Sequence, residues 1–280
     1  MLPLPQADFD SSLAIGGDEL KARKIETRLS VDVQVNGRGP YKFIVDSGAD
    51  TSVVGLAIAR DLELPLGEPA ILNGMTSRDV VDRVKVDRLI LGPTRVRNLQ
   101  LPALREDDLG GQGMIGIDAL VEKRLMMDFE KKVITVEDAS VRYIPVPGEI
   151  VVPARRQRGQ LILTHVMAAG LPLDAVIDTG TQITIGNLAL RDKLMKGNKD
   201  KFVTIPIIGV TGVTAQLQFA RIGELQLGPI TIQDVPMAFA DVPPFKLFGL
   251  SDEPALLLGT DLLETFRRIS LDFKARKVRF

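Results

Sequence analysis

The sequence predicts an all-β chain folded as two similar lobes related by a pseudo-two-fold, with few short helices. Two observations carry this. Short β-branched and aliphatic runs alternate with Gly, Pro and Asp turns along most of the chain, the pattern of brief strands joined by tight connections. The chain also repeats itself. The offset that lays Asp46 on Asp178 sets FIVDSGAD (Phe43–Asp50) against AVIDTGTQ (Ala175–Gln182).

The repeat continues in order. Upstream, Leu29 falls on Leu161, Val31 on Leu163 and Pro40 on Pro172. Downstream, with small shifts, LILGPTRVRNLQLP (Leu89–Pro102) answers LQLGPITIQDVPM (Leu225–Met237). GMIGIDAL (Gly113–Leu120) answers LLLGTDLL (Leu256–Leu263), and DFEKKVITV (Asp128–Val136) answers DFKARKVRF (Asp272–Phe280). An ordered series of this kind marks internal duplication. The non-repeating SVRYIPVPG places the boundary between residues 143 and 144, giving lobes 1–143 and 144–280.

Few helices are expected within this frame. Apolar residues at helical spacing predict short ones at Leu56–Leu62 and Leu188–Lys196. A further turn of helix is expected at Asp118 and at Asp261, where a carboxylate can cap free N–H groups or support a turn. Asp128 and Asp272, each before a Phe, are expected to be turn residues that open the last strands, and RRQR (Arg155–Arg158) a solvated surface or strand edge.

Composition narrows the function. The chain has 280 residues, 45% apolar, with a formal charge of -1. That charge gives no electrostatic footprint for nucleic acid. With no cysteine there is no thiol nucleophile, disulfide or thiolate metal site. His165 is the single histidine, so a histidine-rich zinc site cannot be assembled. It falls on Val33 in the repeat and reads as a packing or sheet-surface residue. No window reaches the length of apolar residues that a membrane span needs. The start, MLPLPQADFD, shows no basic and apolar signal-peptide regions. Acid–base chemistry in such a chain falls to carboxylates.

The paired D-[ST]-G tripeptides supply them. If Asp46 and Asp178 meet at the pseudo-two-fold, their carboxylates share a proton and titrate as one unit. One member then acts as general base on a water while the other, protonated, hydrogen-bonds a substrate carbonyl. Gly48 and Gly180 allow tight turns, and the Ser47 and Thr179 hydroxyls are short donors able to brace one lobe on the other. Taken singly, either tripeptide is also an ordinary turn.

The sequence resembles the retropepsin-like and pepsin-like aspartic proteases. D-[ST]-G at the end of an apolar strand, followed in each half by an apolar-apolar-Gly segment, carries the resemblance; DSGADTSVV is closer to the retroviral form. The resemblance implies two β-barrel lobes, a monomeric internal pseudodimer, and peptide-bond hydrolysis by Asp46 and Asp178 without metal or organic cofactor. It also points to a bacterial, periplasmic or secreted protein and to a protein or peptide substrate. Flap hairpins are implied at Ile71–Val81, with its tip at Gly74, Met75 and Thr76, and at Ile205–Leu217, with its tip at Gly209, Val210 and Thr211. Met75 and Val210 suggest partly apolar pockets. Asp50 and Gln182 flank the site unequally, so asymmetric substrate recognition is expected. Two features depart from the family. Tyr41 and Tyr143 both lie away from the flaps, and Gly116-Ile117-Asp118 offers no arginine to pair with Asp50. Two rival classes stay open: a peptide-binding protein of the same fold that is silent or narrowly specific, and a carboxylate-pair glycosidase.

Overall fold

The computed structural model describes residues 23–25, 28–92, 94–120, 122–131, 133–194 and 202–280. In the first half the strands are β1 (Arg23–Ile25), β2 (Arg28–Val35), β3 (Arg38–Val45), β4 (Val53–Gly55), β5 (Ala70–Asn73), β6 (Arg78–Val81), β7 (Arg83–Leu91), β8 (Thr94–Leu104), β9 (Gly113–Ile115), β10 (Lys123–Asp128) and β11 (Val133–Asp138). Short helices α1 (Leu56–Asp61), α2 (Glu106–Leu109) and α3 (Ile117–Leu120) interrupt them. In the second half follow β12 (Val151–Gln157), β13 (Gln160–Ala168), β14 (Leu171–Ile177), β15 (Ile185–Gly186), β16 (Val203–Ile208), β17 (Thr214–Leu227), β18 (Ile230–Phe239), β19 (Ala255–Leu258), β20 (Arg268–Asp272) and β21 (Lys277–Arg279). The helices there are α4 (Leu188–Leu194), α5 (Pro243–Leu247) and α6 (Thr260–Leu263). The helix expected over Leu188–Lys196 is thus described to Leu194; Met195 and Lys196 lie outside the described residues.

Each half closes into a barrel, and the two follow one plan. In the first, neighbours run β2-β3-β9-β4-β8-β7 and β7 returns to β2. In the second the order is β13-β14-β19-β15-β18-β17, with β17 returning to β13. The strand leading to each D-[ST]-G lies parallel to the apolar-apolar-Gly strand: Val45 opposite Ile115, and Ile177 opposite Leu258. A strand covered on both faces reads as a continuous apolar run rather than an alternating one. Phe43-Ile44-Val45 and Ala175-Val176-Ile177 are such runs, all fully buried. The repeated Leu-Gly marks hairpin turns, where Gly92 (φ 53) and Gly228 (φ 59) take the left-handed conformation that favours glycine.

The lobes are joined by a sheet that neither half could complete. Strands β11, β10, β20, β21 and β12 lie side by side, with β10 antiparallel to β20. In that pairing Arg124 faces Asp272, Met126 faces Ser270 and Asp128 faces Arg268. Since DF at Asp128 repeats as DF at Asp272, Met126 and Ser270 are equivalent positions. The pseudo-two-fold passes between them, and the contact is self-complementary as in an isologous interface.

A buried ionic cluster lies on this sheet. The Arg124 guanidinium donates to Asp272 (3.1 Å), to Glu137 (3.2 Å) and to the Val141 carbonyl (3.2 Å). Arg279 lies 3.5 Å from Asp272, and both arginines stack on the Tyr143 ring, at 4.8 and 4.1 Å from its centroid. Tyr143 donates to Glu149, and burial followed by that bond pushes its hydroxyl up to about 12. Asp128 and Asp272 do support turns, accepting from the Lys131 and Ala275 N–H groups, but Asp272 is also the anion that holds the cluster. Among the described residues no helix is long and apolar enough to cross a membrane.

Removing one partner of a buried ion pair strands the other without solvent. Asp272→Ala is expected to lower stability by about 3–5 kcal/mol, read as a lower midpoint in urea unfolding. Arg221→Ala, which breaks the exposed Arg221–Asp234 pair, is expected to leave the midpoint in place.

Candidate active site

Strands β3 and β14 end side by side at the pseudo-two-fold, and four crossed hydrogen bonds hold them there. The Ser47 N–H donates to Thr179 Oγ1 (2.9 Å), and the Thr179 N–H donates to Ser47 Oγ (3.2 Å). Each hydroxyl then donates to the strand of the other lobe: Ser47 Oγ to the Ile177 carbonyl (2.8 Å) and Thr179 Oγ1 to the Val45 carbonyl (2.9 Å). Both hydroxyl residues are 1% exposed, so every donor and acceptor here must be satisfied within the protein. The bracing expected from Ser47 and Thr179 is this network.

The network sets the carboxylates against each other. Asp46 and Asp178 are 9% and 7% exposed. Asp46 accepts from the N–H groups of Gly48 (2.8 Å) and Ala49 (3.0 Å); Asp178 accepts from those of Gly180 (3.0 Å) and Thr181 (3.1 Å). Each carboxylate lies directly over the other lobe's glycine. A Cβ on Gly48 would stand 2.5 Å from the Asp178 carboxyl carbon, and one on Gly180 would overlap the Asp46 carboxylate. Glycine is therefore required at both places by space, beyond any turn preference.

Burial is the largest influence on both acids. Desolvation and then the neighbouring Asp46 charge push the Asp178 carboxyl from its ordinary 3.8 up to about 8. Desolvation also raises Asp46, against the pull of the Gly48 and Ala49 N–H groups and of the Arg28 charge. Two buried carboxylates this close cannot both ionise cheaply, so the pair retains one proton.

The turns beneath the pair are braced by Asp118 and Asp261. Asp118 accepts from the Ser52 N–H (2.9 Å), Ser52 Oγ (2.6 Å) and Thr51 Oγ1 (3.1 Å). Asp261 accepts from the Thr184 N–H (3.0 Å) and Oγ1 (2.8 Å). The helix start thus forms as expected, and of the two expected roles Asp118 takes turn support rather than capping α3. Gly116 and Gly259 approach these turns so closely that a Cβ would stand 2.6 Å from the Thr51 or Ile183 backbone.

The surroundings are asymmetric. Asp50 finds its arginine in the other lobe: Arg158 donates to it at 2.6 and 3.0 Å, and Gln160 donates to it and to the Gly48 carbonyl (3.3 Å). The RRQR segment is the exposed edge expected of it, paired with β13 on one side only, and it also carries cross-lobe ion pairing through Arg158. Arg155 binds Asp174 (2.8 Å), and only the start of β12, Val151 to Pro153, pairs with β21. Gln160 repeats the position of Arg28, and Ser52 that of Thr184, so the internal alignment already held a signal for all four. Gln182 is half-buried, and His165 is exposed on the sheet surface.

A hairpin forms at each place where a flap is expected. Strands β5 and β6 pair around a tip closed by Gly74 N–H to the Ser77 carbonyl (2.9 Å), which carries Met75 and Thr76. Strands β16 and β17 pair around a tip at Gly209, Val210 and Thr211, closed by Gly209 N–H to the Val213 carbonyl (3.0 Å).

A family model described as aspartyl protease matches residues 31–119 and 164–262, one segment in each lobe. The chain belongs to the aspartyl protease family. Both matched segments of this family member contain a D-[ST]-G and the following Gly-x-Asp. Among solved structures, a retropepsin-like aspartic protease from Rickettsia conorii aligns with a TM-score of 0.33 and 15% identity, over 47% of this chain and 88% of that one. Basic 7S globulin from soybean aligns with a TM-score of 0.44 and 8% identity, over 91% and 92%. No curated protein matches the chain.

Thr179→Val keeps the side-chain shape but orphans the Ser47 N–H and the Val45 carbonyl. It is expected to cost roughly 2–6 kcal/mol in guanidinium unfolding, at about 1–3 kcal/mol for each buried group left unpaired.

Stability should also depend on pH. A carboxyl whose pKa is raised by folding contributes fully below its unfolded value, and the contribution is lost as pH rises through the folded value. From 3.8 toward about 8, therefore, the melting temperature is expected to fall, and Asp178→Asn to flatten that fall.

Proposed function

We propose that the protein is an aspartic endopeptidase, with Asp46 and Asp178 as its catalytic pair and the lobes divided between residues 143 and 144. The observation that carries this reading is the mutual burial of two carboxylates, each lying over the other lobe's glycine. That arrangement keeps one proton on the pair at neutral pH, the state that general acid–base hydrolysis requires.

The roles follow from the unequal surroundings. Asp46, favoured in its charged form by the Arg28 charge, takes a proton from a water between the acids. Asp178, protonated, donates to the substrate carbonyl oxygen as the water oxygen bonds to the carbonyl carbon. The proton now on Asp46 then passes to the amide nitrogen while the C–N bond breaks and the carbonyl re-forms. Asp178 recovers its proton from the tetrahedral intermediate, so the pair ends as it began. An extended peptide lies beneath the flaps and pairs with their backbone by strand addition. Gly74, Met75, Thr76, Gly209, Val210 and Thr211 roof it, and Asp50 and Gln182 distinguish its two ends.

The test is cleavage of a peptide library from pH 3 to 9 beside Asp46→Asn and Asp178→Asn. Each variant is expected to lose about 10³-fold in kcat, within the usual reach of general acid–base catalysis. A pepstatin-type inhibitor should stop the parent. Activity should fall as the second proton leaves, near the value of about 8 of Asp178. Cleavage at the parental rate by either variant overturns the dyad. Peptide binding with no cleavage at any pH favours a silent peptide-binding protein instead.

A further inference from the structure

We propose that Met75 and Val210 occupy the two side-chain pockets flanking the scissile bond, each in the lobe opposite its own, so that substrate binds by exchanging its side chains for theirs. The proposal rests on the endopeptidase reading and gives that site a substrate class.

The crossing is reciprocal. Met75, from the flap of lobe one, packs on the apolar cluster of lobe two that includes Ile162, Val176 and Leu217, beside Ile183 and Ile205. Val210, from the flap of lobe two, packs on the cluster of lobe one formed by Val53, Leu104, Leu109 and Met114, beside Ala49. Both clusters adjoin the acids. The Ala49 N–H holds Asp46, and Ile183 follows closely on Thr181, whose N–H holds Asp178. An apolar hollow beside the acids is where a peptide side chain would be buried, and apolar pockets with a few polar groups are the usual form of a ligand site.

The tips are latched in that position. Ser77 Oγ and Thr211 Oγ1 lie 2.6 Å apart across the lobes. A Cβ on Gly209 would overlap the Thr76 side chain, and one on Gly74 would stand 3.6 Å from Val210 Cγ2. Gly212, at φ +78, rests against the Arg105–Asp108 ion pair of lobe one. One polar group is left out of this closure. Thr76 Oγ1 is buried with no hydrogen-bond partner among the described residues. A peptide backbone entering beneath the tips would supply the missing partner, while its side chains refilled the hollows that the tips vacate.

The occupants define what is accepted. Met75 is long, unbranched and flexible, and fits irregular space; its cluster also contains Phe245 and Phe248. Val210 is short and β-branched. The preferred bond therefore joins a straight-chain apolar residue, such as Met or norleucine, to a short branched one, such as Val. Because the free enzyme must release both tips first, apparent affinity is reduced by the fraction already open.

The experiment uses the full chain as Asp46→Asn, with Asp178→Asn as the second form, and methionine ¹³C-methyl labelling. Met75→Leu identifies the Met75 resonance. The probes are hexapeptides with Met–Val, Val–Met or Ala–Ala at their centre. A Met–Val or Val–Met peptide is expected to bind on the order of 10-fold more tightly than Ala–Ala, from the extra apolar area buried. It should also move the Met75 methyl toward its solvent-exposed position. In the parent, bonds cleaved in a random library should carry the same two side-chain classes. Binding or cleavage that leaves the Met75 methyl unmoved, or cleaved bonds without these flanks, overturns the inference and leaves the endopeptidase reading intact. A parent that neither binds nor cleaves any peptide overturns both, unless Met75→Ala with Val210→Ala restores cleavage, which supports the latch.

Discussion

The molecule depends on four hydrogen bonds exchanged between Ser47 and Thr179. They satisfy the Ser47 and Thr179 N–H groups and the Val45 and Ile177 carbonyls at the ends of β3 and β14, where both strands are buried. Each hydroxyl serves the opposite lobe, so neither lobe can complete its own active-site turn. From this exchange follow the approach of the two acids, the need for glycine beneath each, and the alignment of the lobes about one axis. The β10–β20 pairing lies on that same pseudo-two-fold. The two contacts constrain one rotation and hold it against drift.

Rigidity there is used to keep an unfavourable pair together. Buried acids side by side oppose folding as soon as both are charged, and retaining a proton is the cheaper outcome. The surrounding structure supplies the holding force: parallel strands buried on both faces, turns tied to Asp118 and Asp261, and an ionic cluster on the joining sheet. That cluster is itself costly to desolvate, and Asp272, Glu137 and the Tyr143 ring converge on its arginines. Ion pairs within each lobe, Arg124–Glu137 and Arg279–Asp272, are joined across the axis by Arg124–Asp272.

Duplication gives symmetry, and the side chains around the pair then break it. Arg28 in the first lobe has Gln160 as its counterpart, and Asp50 has Gln182. One acid thus lies nearer a positive charge than the other, and one end of the cleft holds the Arg158–Asp50 ion pair. A symmetric pair of acids has no preferred base. In the proposed endopeptidase, unequal neighbours give it one and would give an extended peptide a direction.

The sequence by itself determined the repeat, the apolar strands, the order of motifs and the identity of the two acids. These are properties of pattern and spacing, legible because a parallel strand buried on both faces leaves an unbroken apolar run and because duplication copies the run. Even the glycine after each Asp was visible, though its reason was not: local turn chemistry suggests flexibility, while the deciding fact is a carboxylate from the other lobe pressed against it. Arg158 looked like a surface cation because its partner Asp50 is distant along the chain, and Asp272 looked like a turn residue because Arg124 is too. Met75 and Val210 suggested apolar pockets without showing that each packs on an apolar cluster of the opposite lobe. Only the tertiary structure decided these matters, since each is a contact across the pseudo-two-fold, and sequence spacing carries no information about what an opposing lobe presents.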